Sequence, residues 1–555
     1  MSEALSELEI LALDCQASGA SPVHGDLLEL GWAVCRPGEP PDRVHSRWIV
    51  PRTNRRIGRA VRELTGWSEA CVAEAIDERD AWTALRGEVS VHSVPTVIHF
   101  ARFELSFLRD LHQRVGDGSD FPFDAVCLHA VAARHVPDLP RRNIRALAGF
   151  LGHSAALERR SAGHVQATAH IWRELLPRLQ EASVDTWSSL KGWLEQSSAP
   201  PRPKRRTYPL AADRRRALPD RAGVYRFLRS NGDVLYVGKA VSLKKRVAGH
   251  FKGGRGPMTE RALELLTQVH DIHHTETPTL LEAALLETDE IKRLDPPYNV
   301  QLRLADRCAW FASRDFRSAV PAPDDEHRVG PLPSERALLP LSGLTRLAEG
   351  AEASAGLRAC ALAVPTAFAP DPELFAEGWR AFAADFLAGE AGSARKIEQA
   401  SLALWLERRR SEDDAGSEDA APDVWDLARV RRRLERSLVQ AGLLARRSRW
   451  LCLLADADVA FREPGASEVR VLVVADGELV ARHEVDAVTA LGTLPARRPR
   501  PFRVRQGCFE IARYDRLRVL LTELLRIQAE GGEVALRVSG HCLFGARLAA
   551  LMRAV

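Results

Sequence analysis

Residues 223–251 read GVYRFLRSNGDVLYVGKAVSLKKRVAGHF. Gly223–Leu228 and Val234–Val237 are short β-prone runs, and Asn231-Gly232 lies between them. That dipeptide accepts the positive φ angles of a tight turn, so the stretch predicts a β-hairpin. Gly238 ends the second strand, and Ser242 is placed to cap a helix starting near Leu243. On that helix Leu243, Val247 and Phe251 recur every four residues and face a core. Arg246 and His250 share a neighbouring face. Tyr225, Tyr236, Lys239, Arg246 and His250 therefore gather at the rim of a small sheet.

Downstream, Leu281-Glu282-Ala283-Ala284-Leu285-Leu286-Glu287 leads through Ile291-Lys292 to Pro297-Tyr298-Asn299. GVY, YVG, Lys239-Ala240, Leu243-x-x-Arg246-Val247 and these later elements, in this order, resemble the GIY-YIG nuclease signature. The likeness is to the amino-terminal domain of the excision-repair nuclease UvrC and its shorter relative Cho, over residues 217–305. It implies a small α/β endonuclease domain that hydrolyses a phosphodiester. Such a reaction needs an activated water, charge neutralisation on the phosphate and help for the leaving oxygen. By the same resemblance Glu287 holds one Mg²⁺ or Mn²⁺. One of Tyr225 and Tyr236, with Tyr236 the better candidate, helps activate the water. Lys239 depresses a tyrosine pKa or meets phosphate. Arg246 grips the phosphate under attack. His250, where UvrC usually has tyrosine but Cho has histidine, exchanges a proton near neutral pH. Asn299 closes the domain and orients its groups, Glu282 is read as a surface residue, and Gly223 and Gly238 answer backbone requirements.

At 555 residues the chain exceeds one core and suggests about three domains. With 45% hydrophobic and 27% charged residues it is globular, and a net charge of +4 does not by itself point to nucleic acid. Its nine cysteines are scattered with no C-x-x-C pair, so neither a zinc ribbon nor a disulfide framework is expected. The acidic start lacks a signal pattern, and no apolar stretch approaches membrane-spanning length. A reduced, soluble, cytoplasmic, nucleoid-associated protein without membrane contact is the expectation.

Residues 1–182 alternate strands and helices, as in an α/β layer fold. Leu8–Leu13 reads as a first strand ending at Asp14, Leu27–Cys35 as its hairpin partner and Thr96–Ile98 as a buried strand. Helices are expected over Val61–Leu64, Ala70–Leu85, Phe103–Leu111, Ala125–Arg134, Ile144–Leu151 and Val165–Leu179. Leu13-Asp14-Cys15-Gln16, His99-Phe100-Ala101-Arg102-Phe103-Glu104, Asn143–Leu147 and Gly163-His164 together resemble the DnaQ-type, DEDD-class 3′–5′ exonucleases, which implies an RNase H-like fold. That family needs four carboxylates and a histidine for a two-metal reaction. Here Asp14 and His164 match. Gln16 stands for a glutamate, Glu104 for an aspartate and Ala169 for the last aspartate. These departures from the family pattern imply an inactive exonuclease fold that holds DNA, contacts a partner or only stabilises the chain, its Asp14 and His164 hydrogen-bonded within the domain.

Residues 183–216 form a Pro- and Arg-rich connector. Its Arg202, Lys204, Arg205 and Arg206 either contact DNA phosphates or are simply solvated. Residues 306–410 look like the continuation that follows the nuclease domain in Cho-like proteins, 411–424 is an acidic loop, and 425–555 is an α+β region. In the last, a basic helix spans Arg429–Leu443 and includes Arg431, Arg432, Arg433 and Arg436, which either track DNA or are solvated. Strands at Trp450–Leu454 and Val469–Val474, a helix at Tyr514–Gln528 and a strand at Val534–Val538 complete it. The order of domains resembles bacterial DnaQ–Cho fusions. It implies a metal-dependent endonuclease that nicks damaged duplex DNA in nucleotide excision repair, with UvrA and UvrB as damage-recognition partners. A bifunctional exonuclease/endonuclease and a non-catalytic DNA-binding scaffold are the alternatives.

Overall fold

The computed structural model describes residues 3–53, 55–89, 94–154, 159–196, 206–252, 258–303, 307–386, 404, 424–494 and 509–552. They form two compact units, Met1–Thr277 with Pro296–Val300, and Pro278–Asp295 with Gln301–Val555. The acidic loop up to residue 423, together with Arg202, Lys204 and Arg205, lies outside the described residues.

The first unit opens with strands β1 (Ile10–Ala17), β2 (Leu27–Cys35), β3 (His45–Trp48), β4 (Val94–Ile98) and β5 (Phe123–Cys127), in the order β3-β2-β1-β4-β5. β1 is antiparallel to β2 and parallel to β4, and β4 is parallel to β5. β1 is central and buried along almost its whole length, as its unbroken apolar start requires. Helix Ser161–Glu181 packs across β1 and β2 and closes one core with Val165, Ile171, Trp172 and Leu175. Three expectations change here. The first strand runs on to Ala17, so Asp14 lies inside it rather than at its end. The helix expected from Ala125 begins only at Leu128, because Phe123–Cys127 pairs with β4. The helix expected over Ala70–Leu85 becomes a short 3-10 turn at Glu69–Ala73 and a helix at Glu78–Gly87, which Asp77 caps by accepting from the Arg79 amide at 2.8 Å.

The connector is also shorter than its composition suggests. Trp187–Gln196 is a helix, with Trp187 and Leu190 buried in the same core as Ile171 and Trp172. The Trp187 indole donates to Asp124 at 2.9 Å. Ala212–Arg216 adds a single helical turn just before the second sheet.

That sheet holds β6 (Gly223–Leu228), β7 (Val234–Ala240) and β8 (Asp271–Glu276) in the order β7-β6-β8, all antiparallel. The hairpin forms where it was expected, but its turn is wider than a two-residue Asn-Gly loop. Leu228 pairs with Val234, and between them only Gly232 takes a positive φ, 89°. Asn231 Oδ1 instead accepts from the Asp233 amide at 3.0 Å, a side-chain turn of the kind asparagine favours. Gly223 is needed for strand approach, since a Cβ there would lie 2.2 Å from the Thr275 carbonyl oxygen. Helix Leu243–Lys252 buries Leu243, Val247 and Phe251 as its periodicity predicts, and the Ser242 hydroxyl accepts from the Lys245 amide at 3.2 Å.

In the second unit, helix Leu280–Leu294 joins a core with helix Ile511–Ala529 through Leu281, Leu285, Leu517 and Leu521. The antiparallel sheet beneath is β12 (Ala457–Arg462), β13 (Val469–Ala475), β14 (Glu478–Val485), β15 (Glu533–Val538) and β16 (His541–Phe544), ordered β14-β13-β12-β15-β16. A smaller sheet of β9 (Trp310–Ser313), β10 (Ala319–Val320) and β11 (His327–Leu332) precedes it. Trp450–Leu454, expected as a strand, is the last turn and a half of a helix running Leu427–Leu454. A short apolar run cannot be told from a buried helical stripe by periodicity alone. On the same helix, Arg431 pairs with Asp385 at 2.6 Å and Glu435 at 2.9 Å, and Arg429 with Asp426 at 3.7 Å. Part of the basic face therefore answers local carboxylates. Among the described residues no helix is long and apolar enough to cross a membrane.

Candidate active site

The two hairpin tyrosines meet because of register. Tyr225 on β6 faces Gly238 on β7, and Phe227 faces Tyr236, so the side chains of Tyr225, Phe227 and Tyr236 share the face on which Gly238 leaves room. Gly238 makes this possible: a Cβ there would lie 2.6 Å from the Tyr225 hydroxyl and 2.7 Å from the Tyr236 ring. The tyrosine ring centroids are 6.0 Å apart. Tyr225 is fully buried and Tyr236 is half-buried.

Helix Leu243–Lys252 brings Arg246 and His250 over this face. The Tyr225 hydroxyl and His250 Nε2 are 2.6 Å apart. Burial pushes the Tyr225 phenol far above its ordinary range, and the neighbouring Tyr236 adds to this. Burial, reinforced by Arg246, lowers His250 to about 4. One hydrogen bond thus joins the Tyr225 phenol to His250, whose lowered pKa places its titration below the neutral range its ordinary value suggested. The Arg246 guanidinium lies against both tyrosines, and their proximity, Tyr225 first, raises it further.

Lys239 pairs with Val224, one residue out of step with Tyr236, so by strand alternation the two lie on opposite faces of β7. The charge that opposes burial at Tyr225 is that of Arg246. Asn299 is buried and holds β7 from outside the sheet. Its Nδ2 donates to the Val237 carbonyl at 2.9 Å, and its Oδ1 accepts from the Val237 amide at 3.0 Å. One side chain thereby satisfies both backbone groups of the residue beside Tyr236.

Glu287 lies half-buried on helix Leu280–Leu294 in the second unit. Glu282 is not the surface residue its spacing suggested. It is 5% exposed, 3.2 Å from the Arg470 guanidinium and 3.6 Å from Arg482. Lys292 on the same helix forms a buried pair with Asp515 at 2.6 Å.

The first domain's candidate residues also converge. His164 Nδ1 lies 3.2 Å from Asp14 Oδ1, and Glu104 Oε2 accepts from the Cys15 amide at 3.1 Å. Burial lifts Asp14 although His164 opposes it, while Asp14 lifts His164 despite burial, so the titration of each depends on the other. Burial and the Asp14 charge hold Glu104 well above the carboxylate range. The Gln16 amide nitrogen donates to the Arg159 carbonyl, and Ala169 is buried in the core. Such a donor set does not fit a pair of divalent metals. Among the described residues no three His, Cys, Asp or Glu side chains form a metal-holding group.

Two features escaped the sequence. β8, DIHHTE, buries only Ile272 and shows no apolar alternation. The hydrogen bonds around Tyr298 join residues far apart in sequence, and no local pattern announces them.

Residues 221–300, which hold this sheet and its two tyrosines, match the family described as the UvrC-like GIY-YIG domain. Among individual proteins, the chain is 30% identical over 277 residues to a Mycobacterium tuberculosis protein named a bifunctional exonuclease/endonuclease. That alignment covers 49% of this chain and 41% of the relative. It is 43% identical over 132 residues to UvrABC system protein C of Alkalilimnicola ehrlichii, covering 22% of this chain and 21% of that protein. The chain spans less than half the length of these curated relatives. A solved structure, the N-terminal endonuclease domain of Thermotoga maritima UvrC bound to magnesium, is 28% identical. It covers 16% of this chain and 93% of that one, with a TM-score of 0.15.

Proposed function

We propose that the chain is a metal-dependent endonuclease that makes a single-strand incision in damaged duplex DNA, in the manner of UvrC and Cho. The observation that carries this reading is the convergence of Tyr225, Tyr236 and Arg246 on one face of the β6–β7 hairpin, inside the matched region. Tyr236, half-exposed, takes the water-activating role, because Tyr225 is buried and its hydroxyl is already engaged with His250. Arg246 offers paired donors to the phosphate under attack and stabilises the charge that develops there. Asn299 is a positioning residue for the Tyr236 strand, and Lys239 on the opposite face is assigned phosphate contact rather than tuning of a tyrosine.

Glu287 is the residue assigned to hold one Mg²⁺ or Mn²⁺. A single half-buried carboxylate fits such an ion, which keeps most of its waters and takes its remaining ligands from substrate phosphate. When bound, the ion supplies charge neutralisation and a more acidic water. Nucleotide excision repair, with UvrA and UvrB delivering the lesion, is the context the UvrC likeness supports. We also infer that the first sheet is an RNase H-like exonuclease fold, which its mixed order β3-β2-β1-β4-β5 supports. The test is an end-labelled duplex with one bulky lesion, incubated in Mg²⁺ with and without UvrA and UvrB. One nick near the lesion that requires both proteins supports the repair role; equal nicking of undamaged duplex overturns it.

A second reading, a bifunctional nuclease, is favoured by the name of the Mycobacterium relative. It requires carboxylates other than the missing pair at Gln16 and Ala169. Progressive 3′ shortening abolished by Asp14→Ala would establish it, and its absence would leave the first domain as a DNA- or partner-binding module.

A further inference from the structure

The exonuclease-like domain and the nuclease sheet share one compact unit, and the contact between them is polar and specific. Helix Ile144–Phe150 of the first domain packs against helix Glu260–Gln268 of the second. Asn143, which caps the former, works in two directions. Its Oδ1 accepts from the Ala146 amide at 3.0 Å, while its Nδ2 donates across the contact to Glu264 Oε2 at 2.7 Å. The other Glu264 oxygen accepts from the Tyr298 hydroxyl at 2.8 Å. That hydroxyl in turn accepts from Gln268, whose carbonyl oxygen receives Arg229 at 3.0 and 3.2 Å. Tyr298 and Gln268 are buried, and Gly149 leaves the Gln268 amide its room: a Cβ there would lie 1.9 Å from Gln268 Oε1.

The chain that this network anchors is the one that holds β7. The Tyr298 amide donates to the Leu235 carbonyl at 3.1 Å, and the next residue, Asn299, clamps Val237. From Asn143 to the strand bearing Tyr236 there is thus an unbroken path of hydrogen bonds and one covalent step. Every donor along it faces an acceptor, so reversing one link disturbs the next; a half-satisfied buried network is costlier than none.

We propose that Asn143, a residue of the exonuclease-like domain, is a positioning residue for the endonuclease site: the first domain sets the β7 register on which Tyr236 stands. The proposal rests on the nuclease reading above for its activity readout. Asn143→Asp keeps the helix cap but turns a donor into a second carboxylate facing Glu264. Pairing it with Glu264→Gln exchanges donor and acceptor and restores both links, because the glutamine carbonyl still accepts from Tyr298.

Full-length wild type, N143D, N143D/E264Q and G149V are compared for duplex nicking in Mg²⁺ and for amide hydrogen exchange at Val237. The expected result is that N143D and G149V lower kcat by tenfold or more with KM within twofold. Val237 exchange rises by a similar factor, and N143D/E264Q returns both toward wild type. If N143D does not fold, the comparison of N143D/E264Q with E264Q alone decides. Wild-type exchange at Val237 in N143D, or no rescue by E264Q, overturns the proposal. A wild type that never cuts overturns the nuclease reading instead, and Val237 exchange still decides the positioning claim.

Discussion

Asn299→Ala tests the strand clamp most sharply. Asn299 is 7% exposed, and its amide satisfies both the N–H and the C=O of Val237, itself fully buried. Alanine leaves one buried donor and one buried acceptor without partners. Each such group costs about 1–3 kcal/mol, so the local penalty is roughly 2–4 kcal/mol after partial relaxation. At about 1.4 kcal/mol per decade, the Val237 amide should exchange roughly 30- to 1000-fold faster. Amides of β1 in the first core should be unchanged, since they share no partner with this clamp. Asn299→Asp should do no better than alanine, because its second oxygen faces the Val237 carbonyl. Exchange measured residue by residue under native conditions gives the answer. Val237 protection equal to wild type in Asn299→Ala would refute the reasoning.

His250, at about 4 in the folded chain and near 6.5 when unfolded, is neutral in the native site. Its contribution to stability is complete above pH 6.5 and declines as pH falls through 4, so its ring resonances should titrate near 4 and the nicking profile should show no step between pH 5 and 8 that His250→Phe removes. Asp14→Asn removes the charge that lifts His164, so the His164 titration followed by NMR should move below its wild-type midpoint. Glu282→Ala strips Arg470 of a buried partner while Glu484 remains beside it; a loss of roughly 1–3 kcal/mol is expected by chemical denaturation of the full chain, and an unchanged midpoint would contradict the buried-pair assignment.

Much of the nuclease sheet was legible because its signals are local. The β-prone runs on either side of Asn231-Gly232 set β6 and β7, fourfold spacing set the buried stripe of Leu243, Val247 and Phe251, and Ser242 capped the helix it precedes. What escaped depends on partners distant in sequence. Glu282 looked exposed because helical spacing separates it from Glu287, yet Arg470 and Arg482 arrive nearly 200 residues later and bury it. Proximity in sequence groups Lys239 with the tyrosines, while the two-residue period of a strand sets it on the face of β7 opposite Tyr236. His250 looked like a proton carrier near neutral pH, and burial beside Tyr225 and Phe227 lowers its pKa to about 4. Trp450–Leu454 failed as a strand because its apolar run continues a helical stripe begun at Val430.

The reading proposed above makes the matched region 221–300 a metal-dependent endonuclease in which Glu287 holds the ion. It is tested most directly by conversion of supercoiled plasmid to nicked circle in Mg²⁺, with wild type and Glu287→Ala at matched DNA occupancy. Wild type should nick the plasmid, EDTA should abolish nicking, and Glu287→Ala should fall to background with DNA binding retained. Nicking by Glu287→Ala at the wild-type rate, or none by wild type bound to the same DNA, would contradict it.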